Sequence, residues 1–183
     1  HHCQRNDLVI NLGGGMLLDI GGFAASAYLR GVPFVHIPTT LLSMVDASLG
    51  GKLGCNFHGK KNQIGFFKSP EYVAVNPLFL RTLDPRQLIA GWAEMLKHGL
   101  IHSETHLERL LESNPLTLDI QYWEDWIFDS LDIKNYFVTR DPNETGERKV
   151  LNFGHTLGHA FESLSLEKND PLLHGEAVAA GMI

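Results

Sequence analysis

Short apolar runs alternate with longer stretches of small and apolar residues in the first part of the chain. Residues 7–12 are mostly apolar and predict a buried strand, residues 32–37 predict the next strand, and residues 73–75 predict a third, shorter one. Between the first two runs, small residues at close spacing predict a helix over 16–29 that packs tightly on a sheet. Strands that alternate with helices predict a parallel α/β sheet.

Two features interrupt this alternation after the second strand. Thr39 or Thr40 is suited to cap a helix that runs through about Val45. Residues 50–65 are rich in glycine, lysine and asparagine and predict a loop.

The pattern becomes helical from Pro85 onward. Proline and an Asp-Pro-Asn turn separate the predicted helices, which cover residues 87–101, 104–112, 123–139, 151–164 and 174 onward. We therefore predict a domain boundary near residue 84. The expected fold class is α/β plus all-α: a partial Rossmann-like parallel-sheet domain over 1–84, followed by a helical domain over 85–183.

Both ends of the sequence look cut. The first predicted strand starts almost at the first residue, and the last apolar stretch, 176–183, has no helix stop signal. The expectation is an internal fragment that lacks both ends of its parent protein.

Composition narrows the class of protein. The 183 residues are 44% hydrophobic and 20% charged, which is ordinary for a soluble globular chain. A formal net charge of -6 argues against nucleic acid as a partner, and no apolar run is long enough for a membrane span. Two cysteines, Cys3 and Cys55, make no disulfide framework and favour a reducing cytoplasm.

Two glycine-rich segments could bind an anion. The triplet at 13–15 follows a strand and precedes a helix, so its backbone N–H groups could approach a phosphate, or it could be only a tight turn. Residues 46–52 and 59–62 combine glycine with lysines and suit a phosphorylated or carboxylated ligand. A solvated loop is the simpler explanation of the second segment when it is taken alone.

A histidine cluster is the stronger candidate. His155 and His159 are four residues apart on one predicted helix face, and His174 follows within one loop. A carboxylate with two imidazoles is a known catalytic zinc set. Spacing makes His155 and His159 the obvious chelating pair and leaves Glu94 and Glu176 as competing carboxylates. Unrelated surface histidines are the alternative, and the remaining histidines read as structural or surface residues: His36, His58, His98, His102 and His106.

Taken together and in order, these segments resemble the 3-dehydroquinate synthase family of sugar-phosphate cyclases over nearly the whole chain, from about Leu8 to Ile183. The likeness is carried by the glycine triplet with Asp19, Pro38-Thr39-Thr40-Leu41-Leu42, the run from Val45 to Lys52, Ala93-Glu94-Met95-Leu96-Lys97, the run from Leu151 to His159, and Leu173-His174-Gly175-Glu176.

The resemblance implies roles that spacing leaves open. The metal ligands, for zinc or cobalt, match Glu94, His155 and His174. The catalytic residues match Glu144, His159 and Lys97. Substrate contacts match Arg30, Asp46, Lys52, Asn62, Lys97, Lys134, Arg148 and Asn152. Contacts to NAD match Gly14, Gly15, Met16, Asp19, Thr39, Thr40, Lys61, Phe79 and Thr82.

The implied activity is a metal- and NAD-dependent lyase of the shikimate pathway. It would convert 3-deoxy-D-arabino-heptulosonate 7-phosphate to 3-dehydroquinate and phosphate, with NAD regenerated in each turnover. Family members reach across a dimer with the residue that matches Arg30, so a homodimer is implied. The alternatives are another sugar-phosphate cyclase, a glycerol-dehydrogenase-like oxidoreductase, or a catalytically dead relative.

Overall fold

The computed structural model describes residues 3–58, 60–168 and 171–183, without the side chains of Lys60 and Lys61. Strands β1 (Val9–Gly13) and β2 (Phe34–Pro38) pair in parallel. A third, very short strand that pairs in parallel with β2 is labelled β5 (Tyr72–Val73), because two further strands lie between them in the chain. The predicted parallel sheet is confirmed, with strand order β1-β2-β5.

The prediction of a loop over 50–65 is wrong. Strands β3 (Lys52–Phe57) and β4 (Lys60–Phe67) form an antiparallel hairpin with an irregular register between Cys55 and Phe57. Glycine, lysine and asparagine are poor strand formers, but paired backbone and the burial of Leu53 outweigh that propensity here. The hairpin lies against the first helix.

Helix α1 (Gly15–Ala27) covers one face of the sheet, in good agreement with the predicted helix over 16–29. The Asn11 side chain is buried beneath it and hydrogen-bonds the His36 ring at 3.3 Å. A Cβ at Gly21 would lie 2.0 Å from the Asn11 amide oxygen, so the small residue allows the helix to pass over this polar pair. Burial lowers the pKa of His36 to about 4.

The second half is helical, as predicted. Its helices are α2 (Pro85–His102), α3 (Glu104–Leu111), α4 (Trp123–Arg140), α5 (His155–Glu167) and α6 (His174–Met182). Trp92 of α2 stacks on Trp126 of α4 with ring centroids 5.4 Å apart, and Trp123 meets the Trp92 ring edge-on at 5.7 Å. These rings form the centre of the largest hydrophobic core.

A short helical segment links the sheet to that core. Residues 41–47 are helical, and Ser43–Ala47 form a π-helical turn. Thr40 caps this segment, since its hydroxyl accepts a hydrogen bond from the Ser43 N–H at 3.2 Å. Leu41, Met44 and Val45 are fully buried in the same core as the tryptophans. This packing places the carboxyl ends of the strands beside the helices.

Within the described ranges, no helix is both long and apolar enough to cross a bilayer.

Candidate active site

Helix α2 supplies a buried carboxylate and a buried ammonium group to the centre of the molecule. Glu94 is completely buried, and Lys97 on the next turn is 1% exposed. One oxygen of Glu94 pairs with the Lys97 ammonium. The other oxygen, Oε1, has no hydrogen-bond partner among the described residues. A buried carboxylate oxygen without a partner is costly, so this atom is suited to bind a cation.

His155 is the first residue of α5. Gly154 precedes it with φ +78, a left-handed conformation that favours glycine. The Phe153 carbonyl lies 3.2 Å from the His155 Nδ1. A carbonyl only accepts, so Nδ1 carries the proton and Nε2 presents its lone pair. That Nε2 lies 3.9 Å from the unpartnered oxygen of Glu94.

His174 is the first residue of α6, and its Nε2 lies 3.7 Å from the same Glu94 oxygen. The next residue, Gly175, brings the two helices unusually close. A Cβ there would lie only 1.9 Å from the Ala90 carbonyl oxygen, one turn before Glu94 on α2. Only glycine therefore allows α6 to start close enough for its histidine to meet Glu94.

The three predicted metal ligands fit a single ion. Glu94, His155 and His174 each offer one ligand atom, and these atoms lie within 4.8 Å of one another. Two ligands of one tetrahedral zinc ion lie about 3.3 Å apart. The 3.7 and 3.9 Å separations from Glu94 to the two histidines need to close by only about half an ångström around an ion.

The competing carboxylate, Glu176, has a different role. It receives two hydrogen bonds from Arg86, at 2.6 and 2.8 Å, and one from the Leu173 N–H at 2.8 Å. The hydrogen bonds from Arg86 lower the pKa of Glu176. It therefore caps the start of α6.

His159 lies next to the candidate metal ligands. Its ring centroid is 5.5 Å from that of His155 and 5.9 Å from that of His174. It also belongs to a second group of potential donors, with Glu162 and His174. Spacing alone paired His159 with His155, whereas the Glu94 carboxylate is approached by His155 and His174.

An ion pair between a buried lysine and a partly buried aspartate lies beside these residues. Lys134 of α4 donates to the Asp46 carboxylate at 2.6 Å and also to the Asp46 carbonyl. The π-helical turn at Asp46 presents both groups in one direction, a feature common at functional sites. Burial alone would raise the pKa of Asp46, but the Lys134 and Lys97 cations outweigh it and hold that pKa well below its usual range.

A second charged group surrounds Glu144. Its carboxylate pairs with Lys52, accepts a hydrogen bond from Asn152 at 2.5 Å and lies 3.8 Å from the Arg148 guanidinium. Arg148 is 2% exposed and donates to the carbonyls of Pro142 and Gly50. Four predicted substrate or catalytic residues therefore meet in one place.

The hairpin adds an open cleft to the charged region. Lys52 and Asn62 both line this cleft, whose volume is about 260 Å³. Burial, followed by the nearby Arg148, lowers the pKa of Lys52 to about 8. The two predicted substrate contacts on the hairpin thus share one opening.

The predicted NAD residues at the carboxyl ends of β1 and β2 lie together. The register aligns Gly13 with Pro38, so the glycine turn and the threonines follow adjacent strand ends. A Cβ at Gly14 would lie 3.2 Å from the Thr40 methyl group. Ligands of α/β sheets bind at such strand ends.

Asp19 and Met16 extend along α1 from this turn. Met16 is 78% exposed. Burial, followed by repulsion from Asp46, raises the pKa of Asp19 to about 6. Asp19 is thus electrostatically coupled to the Asp46–Lys134 pair.

Four residues predicted to contact NAD or substrate either lie away from the other site residues or have side chains outside the described part of the chain. Phe79 and Thr82 are on the short helical segment Pro77–Thr82, which no described interaction joins to the glycine turn. Arg30 follows α1 at the amino end of β2, opposite the other predicted residues, and has a left-handed backbone with φ 66. The side chain of Lys61 lies outside the described residues.

His98 was predicted to be a structural or a surface residue, and it is completely buried beside the candidate site. Neither ring nitrogen has a hydrogen-bond partner within the described part of the chain. Its donor atoms group with those of Asp46 and Glu94. Burial, followed by the Lys97 charge, lowers its pKa well below the usual value. Its position one residue after Lys97 was the only sequence signal.

Glu162 was not singled out from the sequence. It lies seven residues after His155, on the same helix face, and its carboxylate is 3.7 Å from the His174 Nδ1. The sequence shows the i, i+7 spacing of His155 and Glu162, but it does not show that His174 comes close to Glu162.

Comparison with known solved structures gives matches across almost the whole chain. A 2-deoxy-scyllo-inosose synthase superposes with a TM-score of 0.86 at 30% identity, covering 99% of this chain and 50% of that one. The 2-epi-5-epi-valiolone synthase of Streptomyces hygroscopicus, solved with NAD+ and Zn2+ bound, has a TM-score of 0.83 at 34% identity, covering 99% and 51%.

Sequence comparison is more specific. The 3-dehydroquinate synthase of Parabacteroides distasonis is 49% identical over 181 residues, which cover 99% of this chain and 51% of that protein. The chain spans about half the length of the curated relatives it matches. Residues 1–90 match the family model for the N-terminal part of 3-dehydroquinate synthase, and residues 91–183 match the model for its C-terminal part. With both models matched in order and a Glu-His-His cluster at its centre, this chain belongs to the 3-dehydroquinate synthase family.

Proposed function

We propose that this chain carries the metal site and most of the substrate site of a 3-dehydroquinate synthase. The reaction converts 3-deoxy-D-arabino-heptulosonate 7-phosphate to 3-dehydroquinate and phosphate. The observation that carries this proposal is the buried Glu94 oxygen, which has no hydrogen-bond partner among residues 3–58, 60–168 and 171–183 and is approached by the Nε2 atoms of His155 and His174.

Glu94, His155 and His174 would hold the divalent metal, zinc or cobalt. When bound, such an ion polarises substrate oxygens and makes a coordinated hydroxyl more acidic. Lys97 holds the second oxygen of Glu94, which orients the first toward the histidines. Since Lys97 is itself buried, it also adds a fixed positive charge beside the substrate position.

The glycine turn, Met16, Asp19 and the two threonines would bind NAD at the strand ends, together with Lys61, Phe79 and Thr82. When bound, NAD accepts a hydride from the substrate and later returns it, so no net oxidation results. The open carboxyl ends of β1 and β2 and the N-terminus of α1 support this position.

Substrate anions would bind to the cations that are now paired with Asp46 and Glu144. Lys134 and Arg148 are almost fully buried, and Lys52 opens to the cleft that it shares with Asn62. Arg148 is held in place by two backbone carbonyls, so it contributes a fixed charge. Asn152, which donates to Glu144, completes this surface.

His159 and Glu144 would move protons at the substrate. An imidazole titrates near neutral pH and suits an acid–base role. His159 lies on α5 one turn beyond His155, so it faces the same space as the metal ligands. Glu144 meets Lys52 and Asn152 at the edge of that space.

We also propose that the protein is a homodimer in the cytoplasm. Arg30 is exposed at the amino end of the sheet, away from the other substrate residues of its own chain, so it suits contact with a second subunit. The two cysteines are free, which suits a reducing compartment. Sedimentation of the whole protein tests the dimer, and a monomer at micromolar concentration would contradict it.

Two measurements test the reaction and the metal site. With the whole protein that contains this chain, phosphate should be released from the heptulosonate phosphate while absorbance at the NADH wavelength stays flat. Accumulating NADH would indicate a net oxidoreductase instead. His155→Ala should lose bound zinc, and full zinc occupancy in that variant would reject the ligand assignment.

A further inference from the structure

The second nitrogen of His174 faces a carboxylate that has no assigned role. His174 Nε2 lies 3.7 Å from Glu94, and its Nδ1 lies 3.7 Å from Oε2 of Glu162. That Nδ1 is buried and has no hydrogen-bond partner among the described residues. We propose that Glu162 is a positioning residue, which accepts the Nδ1 proton of His174 and so aims Nε2 at the metal.

The inference rests on the proposed metal site and on the chemistry of imidazole ligands. A neutral imidazole has one protonated nitrogen, so fixing the proton on Nδ1 leaves the lone pair on Nε2. Metal-binding histidines usually donate their other N–H to a carboxylate or a carbonyl, which fixes the tautomer and the ring orientation.

His155 shows the same arrangement with a different acceptor. Its Nδ1 meets the Phe153 carbonyl at 3.2 Å, so the main chain orients this ring. His174 has no described carbonyl in that position, and Glu162 is the acidic group that faces its Nδ1. The 3.7 Å gap exceeds a hydrogen bond by less than an ångström, and a small rotation of the ring closes it.

Helix geometry explains why Glu162 reaches His174. Glu162 is seven residues after His155, so both project from the same side of α5. Gly158 lies between them, where a Cβ would be 3.0 Å from the Ala177 carbonyl oxygen. This close packing of α5 on α6 brings the carboxylate, which is 14% exposed, over the imidazole.

The test compares zinc affinity in the whole protein with and without this carboxylate. Glu162→Ala should weaken Zn2+ binding by about 10- to 100-fold, measured by competition with a chelator. Glu162→Gln keeps an acceptor oxygen and should recover most of the affinity. In the Co2+-loaded protein, the visible absorption bands of Glu162→Ala should shift, which a purely structural role would not produce.

Glu167→Ala is the matched control, because Glu167 is an exposed carboxylate on the same helix. Its affinity and Co2+ spectrum should equal those of the wild type. If Glu162→Ala folds poorly, the comparison between Glu162→Gln and the wild type carries the test, with a smaller loss and a smaller spectral shift expected.

Three outcomes would overturn the inference. First, both Glu162 variants keep wild-type zinc affinity and Co2+ spectrum while His155→Ala loses zinc. This result rejects the positioning role of Glu162 and supports the proposed metal site. Full zinc in His155→Ala rejects the proposed site and the inference with it. Third, the wild-type chain binds two zinc ions and Glu162→Ala loses one of them. This result makes Glu162 a ligand of a second ion, together with His159 and His174.

Discussion

Gly175→Ala should separate the metal ligands without changing any of them. The added Cβ would lie 1.9 Å from the Ala90 carbonyl oxygen, whereas ordinary contact begins near 3.4 Å. Helix α6 must therefore withdraw from α2 by about 1.5 Å. The distance from His174 Nε2 to Glu94, now 3.7 Å, would grow to about 5 Å, whereas two ligands of one zinc ion are at most about 4 Å apart.

The variant should lose both stability and zinc affinity. Overpacking lowers the free energy of unfolding by about 1–3 kcal/mol. Replacing a glycine in a helix with alanine raises it by about 1 kcal/mol. We expect a net loss of up to about 2 kcal/mol in the free energy of unfolding, measured with urea in the metal-free protein. Zinc affinity, measured by chelator competition, should fall at least about 100-fold, or about 2.7 kcal/mol.

Ala180→Gly is the control for a general weakening of α6. Ala180 is exposed on the same helix, so the change costs about 1 kcal/mol of helix propensity and inserts no atom between the helices. Its zinc affinity should match the wild type. Unchanged zinc affinity in Gly175→Ala would refute the argument that close helix packing sets the Glu94–His174 distance.

Three further changes test other parts of the structure. Glu176→Gln should weaken the cap of α6 and lower the free energy of unfolding by about 1 kcal/mol, while zinc affinity stays unchanged. A large loss of zinc affinity in this variant would instead make Glu176 a metal ligand. Arg148→Lys should lower the free energy of unfolding in urea by about 2 kcal/mol, because one ammonium group cannot reach the carbonyls of both Pro142 and Gly50. The control is Arg140→Lys at an exposed position, which should change that free energy by less than about 0.5 kcal/mol. The pKa of Asp19 is raised to about 6 in the folded wild-type protein. Between pH 4 and 6 the folded state therefore binds more protons than the unfolded state, so the free energy of unfolding falls as pH rises through that range. Asp19→Asn should thus match the wild type near pH 4 and exceed it by about 1–2 kcal/mol at pH 7, after allowing for partial solvent screening, and a constant difference across that range would contradict the shifted pKa.

Periodicity was sufficient for the elements that bury one continuous face. The positions of β1, β2 and the helices of the second half were predicted within a few residues from their apolar spacing. The expectation that the first strand is buried was wrong, because β1 is an edge strand and leaves Leu8, Ile10 and Leu12 at least half exposed. The hairpin was missed because its stability comes from strand pairing and from contact with α1, which lie outside any local window. The π-helical turn at Asp46 had no sequence signal either.

The candidate site was predictable in part. Helical spacing put His155 and His159 on one face and left Glu94 and Glu176 as competing carboxylates. The family resemblance then proposed His174 in place of His159 as the ligand. Glu162 and His98 were not proposed, because neither belongs to a recognisable motif.

The sequence by itself determined which residue types were available: a carboxylate, several imidazoles, and cations on glycine-rich segments. It also determined the order of the strands and helices outside the β3–β4 hairpin, since that order follows from local periodicity. Only the tertiary structure decided which donors share one centre. That decision depends on how closely α6 approaches α2 at Gly175, a contact between residues 85 positions apart that no local pattern records.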